Sequence, residues 1–526
     1  MTSYSSSKKL PYIGLLAFPA IGMGFHLVSP LWTALCGFAA LFLLYFLTRA
    51  RYSHLLLLGV WGAGIIAYAI TLSWLPQVIQ VFAEFSITLA IVSAIAMYSV
   101  GALQFVVFFF LLVRLRSLFL TRYALTLPCS WLAAEILFPQ YIPWSLGSLF
   151  LYLPILPSAA ELLGVSLVGF LAFWWSQVLL SQLANLKQRH PASLGAVLTL
   201  FATVALSAYR SYDLPLQAKN APSLTVGLVQ GNLDPLRDFS PERLEANLNR
   251  YRHLSAGLLR ESSLDLLIWP ESSVGHDYFV GQKNVVRGTE TDPFPGLHVM
   301  HLFGGQLRAR INSGGKPEYW MAAHLMNPAG DFLGQYRKRL LFPFSERIPG
   351  QDMLPILSRL NKSTYRLLAG SEELPLTLFT KAGTRATLAV AICFEDLQSW
   401  PTFQLQQRKP IQLIVTLSND NWFLDSIAAE QHNFLASWRA IEFRRYLVRA
   451  TNDGYSTLID PEGRVKQSLP VAEEGSLLLK NTPLLSGVTL FSIVGDLPLQ
   501  FFAVAVVILA LFRRGRYVAE SKKIRE

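Results

Sequence analysis

Cysteine is scarce in this sequence: three occur in 526 residues, at positions 36, 129 and 393. Cys36 and Cys129 fall in apolar stretches and read as packing residues. That leaves Cys393 alone in the polar part of the chain and excludes a disulfide there. Charge is scarce as well. Asp, Glu, Lys and Arg make up 15% of the residues and hydrophobic types 52%, whereas soluble proteins carry about a quarter charged residues. The deficit is uneven. Residues 11–208 are apolar with sparse charges, residues 223–480 have the composition of a soluble domain, and an apolar run at 497–512 precedes Arg513-Arg514-Gly515-Arg516. No spacing of His, Cys and Asp suggests a metal site, no cofactor is called for, and no internal repeat or low-complexity tract is present. The net charge of +11 is not gathered into one basic stripe on a soluble face, which argues against nucleic acid as a partner.

The apolar part divides into segments near 11–27, 30–48, 54–74, 86–113, 120–138, 160–182 and 191–208, most of them close to the length of about 20 residues that spans a bilayer. Pro19 interrupts the first. Residues 139–159, with Pro143, Trp144, Pro154 and Pro157, read as an irregular loop at the membrane surface, where Trp is favoured. Basic residues stand at Lys8 and Lys9, Arg49 and Arg51, Arg114, Arg116 and Arg122, Lys187 and Arg189, and from Arg513 to Lys523. The intervening loops around 28–29, 75–85 and 139–159 have none. Because positive residues stay on the cytoplasmic side, seven spans place both chain ends in the cytoplasm and residues 209–484 on the opposite face. The first apolar segment leads straight into others, so no cleavable signal peptide is expected.

Residues 211–222 read as a polar, Pro-bearing linker. A strand is expected over Ser223–Gln230, and a helix opens at Ser240-Pro241-Glu242 and runs to about Glu261. Leu264–Trp269 reads as a buried strand stopped by Pro270, which presents Glu271. The ordinary fate of such a Glu is a solvated loop. Residues 318–328 and 331–337 pair across Ala329-Gly330 and deliver Tyr336-Arg337-Lys338-Arg339, a basic group that is most simply a solvated patch. Leu388–Ile392 is a further buried strand, and it ends in Cys393-Phe394-Glu395-Asp396. A strand at Gln412–Leu417 ends in Ser418-Asn419-Asp420-Asn421-Trp422-Phe423, and a helix over about Ala428–Arg445 carries His432 and Arg439. Two more strands flank Thr451-Asn452-Asp453-Gly454 and Asp460-Pro461-Glu462-Gly463. Strands alternating with helices imply a layered α/β domain with a site at the strand ends.

A strand ending in Glu, then Tyr-Arg-Lys, then a strand ending in Cys-Phe-Glu, in this order, resembles the nitrilase (carbon–nitrogen hydrolase) superfamily. Placed behind a bundle of membrane helices, with one more helix following, the arrangement is similar to the bacterial apolipoprotein N-acyltransferase family. Val229-Gln230-Gly231-Asn232, Trp269-Pro270-Glu271, Pro343-Phe344-Ser345-Glu346, Ser418–Phe423, Arg449–Gly454 and Gly495-Asp496 carry the likeness further. Where that family usually has Gly this chain has Ser345, and where it usually has Tyr this chain has Phe394. Phe239 stands nearest to an expected Trp, and Ile493 occupies the place of an Arg.

The resemblance implies a multi-pass α-helical membrane bundle followed by an α/β nitrilase-like α-β-β-α sandwich. Residues 1–210 would hold about seven transmembrane helices, 223–484 a periplasmic catalytic domain, and 485–526 a last membrane helix with a basic cytoplasmic tail. The implied location is the bacterial inner membrane. The implied activity transfers a fatty acyl chain from a phospholipid, by analogy phosphatidylethanolamine, to the α-amino group of the S-diacylglyceryl-cysteine of an apolipoprotein. The implied catalytic set is Glu271, Lys338 and Cys393, working through a thioester. A free thiol ionises near pH 8.5, so it needs a base and a nearby positive charge. Glu271 would move the protons, and Lys338 would face the developing oxyanion and favour the thiolate. Glu346 is expected to orient Lys338. Glu395 reads equally as a surface acid or as a clamp on a loop. Phe394, Asn419 and Trp422 are expected to shape the substrate pocket, and His432 is expected to pack. Leu340–Phe344 reads as lipid-contacting or as plain core, and residues 139–157 as a stretch that dips into lipid. Two rival readings stand beside this one: a membrane-anchored amidase, and a degenerate relative that only binds lipoprotein or lipid.

Overall fold

The computed structural model describes residues 11–48, 53–115, 122–186 apart from 139 and 141, 190–233, 240–289, 292–309, 317–348 apart from 344, 351, 353, and 365–508 apart from 372. Lys8, Lys9, Arg49, Arg51, Arg116, Lys187, Arg189, Phe239, Phe344 and residues 513–523 lie outside the described residues. The chain falls into two compact units, one of residues 1–212 with 493–526, the other of residues 213–492.

Five described helices are long and apolar enough to cross a bilayer: Pro30–Leu47, His54–Thr71, Ile87–Leu115, Val165–Ala184 and Ser193–Asn220, of which the last begins in the first unit and ends in the second. Apolar residues surround them, as in lipid-facing helices: Leu31, Phe38, Leu55, Leu58, Val92, Leu179 and Phe201 are all exposed. Two of the expected segments are shorter helices, Ala17–His26 after a 3₁₀ turn at Gly14–Leu16, and Thr126–Leu137. A third short apolar helix is Leu497–Ile508.

Three expectations for this region need correction. The region expected as a loop at 75–85 contains a helix, Leu75–Ala83. Pro76 sits in its first turn, where a missing N–H costs nothing, and Gln77 and Gln80 face out. The loop expected at the membrane surface near 139–159 is irregular, but Leu146, Leu149 and Phe150 on its 3₁₀ turn are fully buried. Gly147 permits this, because a Cβ there would lie 2.3 Å from the Val165 carbonyl oxygen. Third, the linker at 211–222 is helical as far as Asn220, with Pro215 inside the helix. One lost backbone hydrogen bond does not end a 28-residue helix, and the Gln217 amide donates to Asp213 Oδ2 one turn back at 2.7 Å.

The second unit holds two sheets. Its strands are β1 Ser223–Gln230, β2 Leu266–Ile268, β3 Val274–Phe279, β4 His301–Arg308, β5 Glu318–Met326, β6 Phe332–Arg337, β7 Arg366–Leu367, β8 Leu376–Phe379, β9 Arg385–Ile392, β10 Leu413–Ser418, β11 Leu447–Thr451, β12 Thr457–Ile459, β13 Val465–Ser468 and β14 Gly475–Pro483. The first sheet runs β14-β1-β2-β4-β5-β6, with β3 beside β4 and β7 beside β5; the second runs β13-β12-β11-β10-β9-β8. Three described helices of ten residues or more lie wholly within it, α1 Pro241–Glu261, α2 Ser399–Arg408 and α3 Ala428–Phe443.

Side-chain alternation along a strand builds the layers. Leu224, Val226 and Leu228 of β1 and Leu266 and Ile268 of β2 enter the core shared with Leu388, Val390, Ile414 and Val415 of the second sheet. The alternate residues Val229, Leu267 and Trp269 pack on the other face against Leu248, Tyr251 and Leu258 of α1. Leu405 of α2 and Ala440 and Phe443 of α3 join the core on the side of the second sheet. The result is the α-β-β-α sandwich that the resemblance implies. Strands β9, β10 and β11 are parallel neighbours, so their C-terminal ends open side by side.

Candidate active site

Five chain segments converge at the strand ends. Trp269-Pro270 follows β2 and presents Glu271, and the next residue, Ser272, has φ +56°. Gly304 of β4 lets the backbone come this close: a Cβ there would lie 2.6 Å from Glu271 Cα and 2.7 Å from the Pro270 carbonyl oxygen. Gly304→Ala is therefore expected to push Glu271 off its partners and to lower stability by about 1–3 kcal/mol. Thermal unfolding in detergent measures this, and an unchanged midpoint would contradict it.

Lys338 follows β6. Its N–H donates to the Met321 carbonyl at 2.8 Å and its carbonyl accepts from Gly370 N–H at 2.8 Å, so its backbone is fixed on both sides. Its Nζ donates to Glu271 Oε1 at 3.1 Å and to Glu346 Oε1 at 2.9 Å. The other Glu271 oxygen accepts the backbone N–H of Asn419 at 3.1 Å, and the other Glu346 oxygen that of Phe342 at 2.7 Å. Glu271 and Lys338 are buried. The solvated loop and the solvated basic patch are thus both excluded for these two residues. Burial alone would lower the Lys338 pKa, but Glu271 and Glu346 outweigh it and keep the ammonium charged. Burial pushes the Glu271 carboxyl up, Lys338 pulls it down, and the net direction is up.

Cys393 ends β9 at φ +52°, a left-handed conformation that a β-carbon resists. The chain turns there from strand into a 3₁₀ helix, Cys393–Leu397. Such a turn presents a side chain from the end of a buried strand. Burial pushes the thiol up, the negative charge of Glu271 adds to that, and Lys338 opposes both. The balance favours the protonated thiol, so the expected thiolate-stabilising effect of Lys338 is outweighed in the resting protein.

Glu395 is buried, which removes the surface-acid reading. Its Oε1 accepts from the N–H groups of Arg339 at 2.6 Å and Leu340 at 3.1 Å; its Oε2 accepts from Ile392 N–H at 2.8 Å and Tyr336 OH at 2.9 Å. It therefore ties the segment of Lys338 to the turn of Cys393. Burial pushes its carboxyl up to about 7 despite these donors. Phe394 is buried with its ring edge-on to Phe342 at 5.2 Å. Leu340 and Phe342 pack against the inter-sheet core, the plainer of their two readings. Asn419 meets the site through its backbone, and Trp422 stands 45% exposed on the following turn. Among the described residues no group of three or more His, Cys, Asp or Glu is placed to hold a metal ion.

Sequence reasoning missed a second buried cluster behind these residues. His432 lies between Asp396 and Asp420, with Arg449 alongside. Its signal was present in the acids that directly follow Glu395 and Asn419.

A sandwich with an acid, a lysine and a cysteine at its strand ends defines a carbon–nitrogen hydrolase domain, and a sequence model of that family matches residues 225–482. An amidase from Nesterenkonia sp. AN1 aligns with 49% of this chain and 92% of its own, at 18% identity and TM-score 0.33. The apolipoprotein N-acyltransferase of Azotobacter vinelandii is 33% identical over 474 residues, covering 86% of both chains. That of Haemophilus influenzae is 27% identical over 69% of this chain and 68% of its own. The chain belongs to the apolipoprotein N-acyltransferase family. It is a membrane protein and an acyltransferase.

Proposed function

We propose that this protein moves a fatty acyl chain from a phospholipid to the α-amino group of a diacylglyceryl-cysteine on an apolipoprotein, in two steps through Cys393. The observation that carries this reading is the ion cluster in which the buried Glu271 and the part-buried Glu346 both hold the buried ammonium of Lys338, next to the Cys393 thiol on which all three act. In the first step Cys393 Sγ attacks the ester carbonyl and its proton passes to Glu271. The carbonyl oxygen gains charge next to Lys338. The ester C–O bond then breaks, and Glu271 returns the proton to the leaving glycerol oxygen. In the second step the amine attacks the thioester and gives a proton to Glu271. The C–S bond breaks, and Glu271 passes that proton to the leaving sulfur, which restores the thiol and the carboxylate. Glu346 holds Lys338, and Glu395 holds the Lys338 segment against the Cys393 turn.

The apolar helices tether the site to the bilayer in which a lipid donor and a lipid-modified acceptor both reside, raising their effective concentration. The alternation of basic loops supports a catalytic unit on the periplasmic face of the inner membrane with both termini in the cytoplasm. Phosphatidylethanolamine is the donor taken for the test. Incubated with it and without an acceptor, the full chain should gain one acyl group on Cys393, read by peptide mass spectrometry. Addition of a diacylglyceryl-peptide should discharge the adduct to the peptide amine faster than water does. Discharge to water alone would favour an amidase, and no adduct would favour a protein that only binds.

A further inference from the structure

His432 lies on α3, outside the residues given a chemical role above. Its Nε2 is 2.8 Å from Asp396 Oδ1 and its Nδ1 is 2.9 Å from Asp420 Oδ1. A carboxylate only accepts hydrogen bonds, so both ring nitrogens must carry a proton and the ring is an imidazolium. Arg449 Nε donates to the second oxygen of Asp396 at 3.0 Å, and Arg449 Nη2 lies 4.0 Å from the second oxygen of Asp420. Ser418 Oγ adds a hydrogen bond to Asp420 Oδ1 at 2.8 Å. Two acids, an arginine and an imidazolium cancel in charge, and all four are buried. A neutral ring would leave a buried net negative charge.

The two acids sit on two different turns. Asp396 belongs to the 3₁₀ helix that starts at Cys393. Asp420 directly follows Asn419, whose N–H holds Glu271. We propose that His432 is a positioning residue: its imidazolium struts the Cys393 turn against the turn that fixes Glu271, and so sets the distance over which the thiol proton travels. This rests on the reading of Cys393 as nucleophile and Glu271 as base.

The charged groups acting on His432 are Asp396 from the turn after β9, Asp420 from the turn after β10 and Arg449 from β11; the ring of Phe423 stands edge-on at 6.1 Å. Burial would lower the His432 pKa, but Asp396 and Asp420 outweigh it and raise it to about 9. Burial would raise Asp420, yet His432 and Arg449 hold it down to about 2. Asp453, after β11, is pushed up to about 8 by burial and by Asp420. A raised His pKa contributes stability below about 6.5 that is lost as pH rises through about 9. The strut should therefore loosen at alkaline pH.

The test is the single-turnover rate of Cys393 acylation by phosphatidylethanolamine in detergent micelles, followed by intact mass from pH 6 to 10, in the full-length wild type and in His432→Gln. The wild-type rate is expected to fall above about pH 9. His432→Gln should react about 100-fold more slowly at pH 7 and saturating lipid, because a misplacement of about 1 Å costs that much. Its half-saturating lipid concentration should stay within about threefold of wild type, and the fall near pH 9 should vanish while Asp453 remains in place. Wild-type rate and pH profile in the variant would overturn the proposal, as would a defect confined to lipid affinity. If His432→Gln does not fold, the wild type decides: a rate that does not fall between pH 8 and 10 overturns the strut. A wild type that forms no adduct at any pH refutes the nucleophile reading itself.

Discussion

Replacement of Lys338 by Met should lower acyl transfer by at least about 10³-fold and destabilise the protein by about 3–5 kcal/mol. The two effects have different origins. Lys338 Nζ is buried between Glu271 and Glu346 at 3.1 and 2.9 Å. Removal of the ammonium leaves the buried Glu271 and the part-buried Glu346 as like charges with no cation between them, which favours uptake of a proton. That accounts for the lost stability. The lost rate comes from the missing charge beside the oxygen of the tetrahedral intermediate. A second substitution separates them. Lys338→Met with Glu346→Gln removes the like-charge pair and should recover most of the stability, measured as the thermal midpoint in detergent. Transfer should not recover, because no group then faces the oxyanion. A double variant as active as wild type would reduce Lys338 to a structural counter-ion.

Much of the sandwich was legible because each strand that matters is short, apolar and ended by a residue that breaks the pattern. Pro270 after Trp269, Cys393 after Ile392 and Asn419 after Ser418 are visible in one dimension. The hairpin was legible because Ala329-Gly330 interrupts two alternating runs, and Gly330 takes φ +97° at that point. The errors came where local signals compete with packing. Pro215 reads as the end of a helix, yet one lost hydrogen bond is small against the rest of a 28-residue helix. Leu146–Phe150 reads as a surface loop because of the prolines around it. Its burial depends on Gly147 meeting Val165, a pairing the sequence does not display. The cluster at His432 left only a faint signal, the acids after Glu395 and Asn419, and its assembly was hidden for the same reason. Its members lie at 396, 420, 432 and 449, and only the parallel order of β9, β10 and β11 brings them together. A His on a buried helix has an ordinary packing role unless two acids are known to flank it.

Cys393→Ala should abolish turnover and Glu271→Gln should slow it severely, and the chemistry left in the two should differ in kind. Cys393→Ala removes the sulfur, so no thioester forms at any pH. The cysteine side chain is small and is 7% exposed, so unfolding should shift little. Glu271→Gln keeps the sulfur but removes the acceptor of its proton. In the wild type the thiol is held protonated by burial and by Glu271, so the base rather than the ambient thiolate fraction sets the rate, and acylation should vary little near neutrality. In Glu271→Gln only the spontaneously ionised fraction reacts. Acylation should then be slower by about 10²–10⁴-fold at pH 7 and should rise about tenfold per pH unit toward alkaline pH. Loss of the Glu271 charge also lowers the thiol pKa, which brings that rise to lower pH and makes it measurable. The slope is the decisive quantity, because a variant that had merely lost its shape would lose rate equally at every pH. An acylation rate in Glu271→Gln that matches wild type at pH 7 would assign the proton to another acceptor.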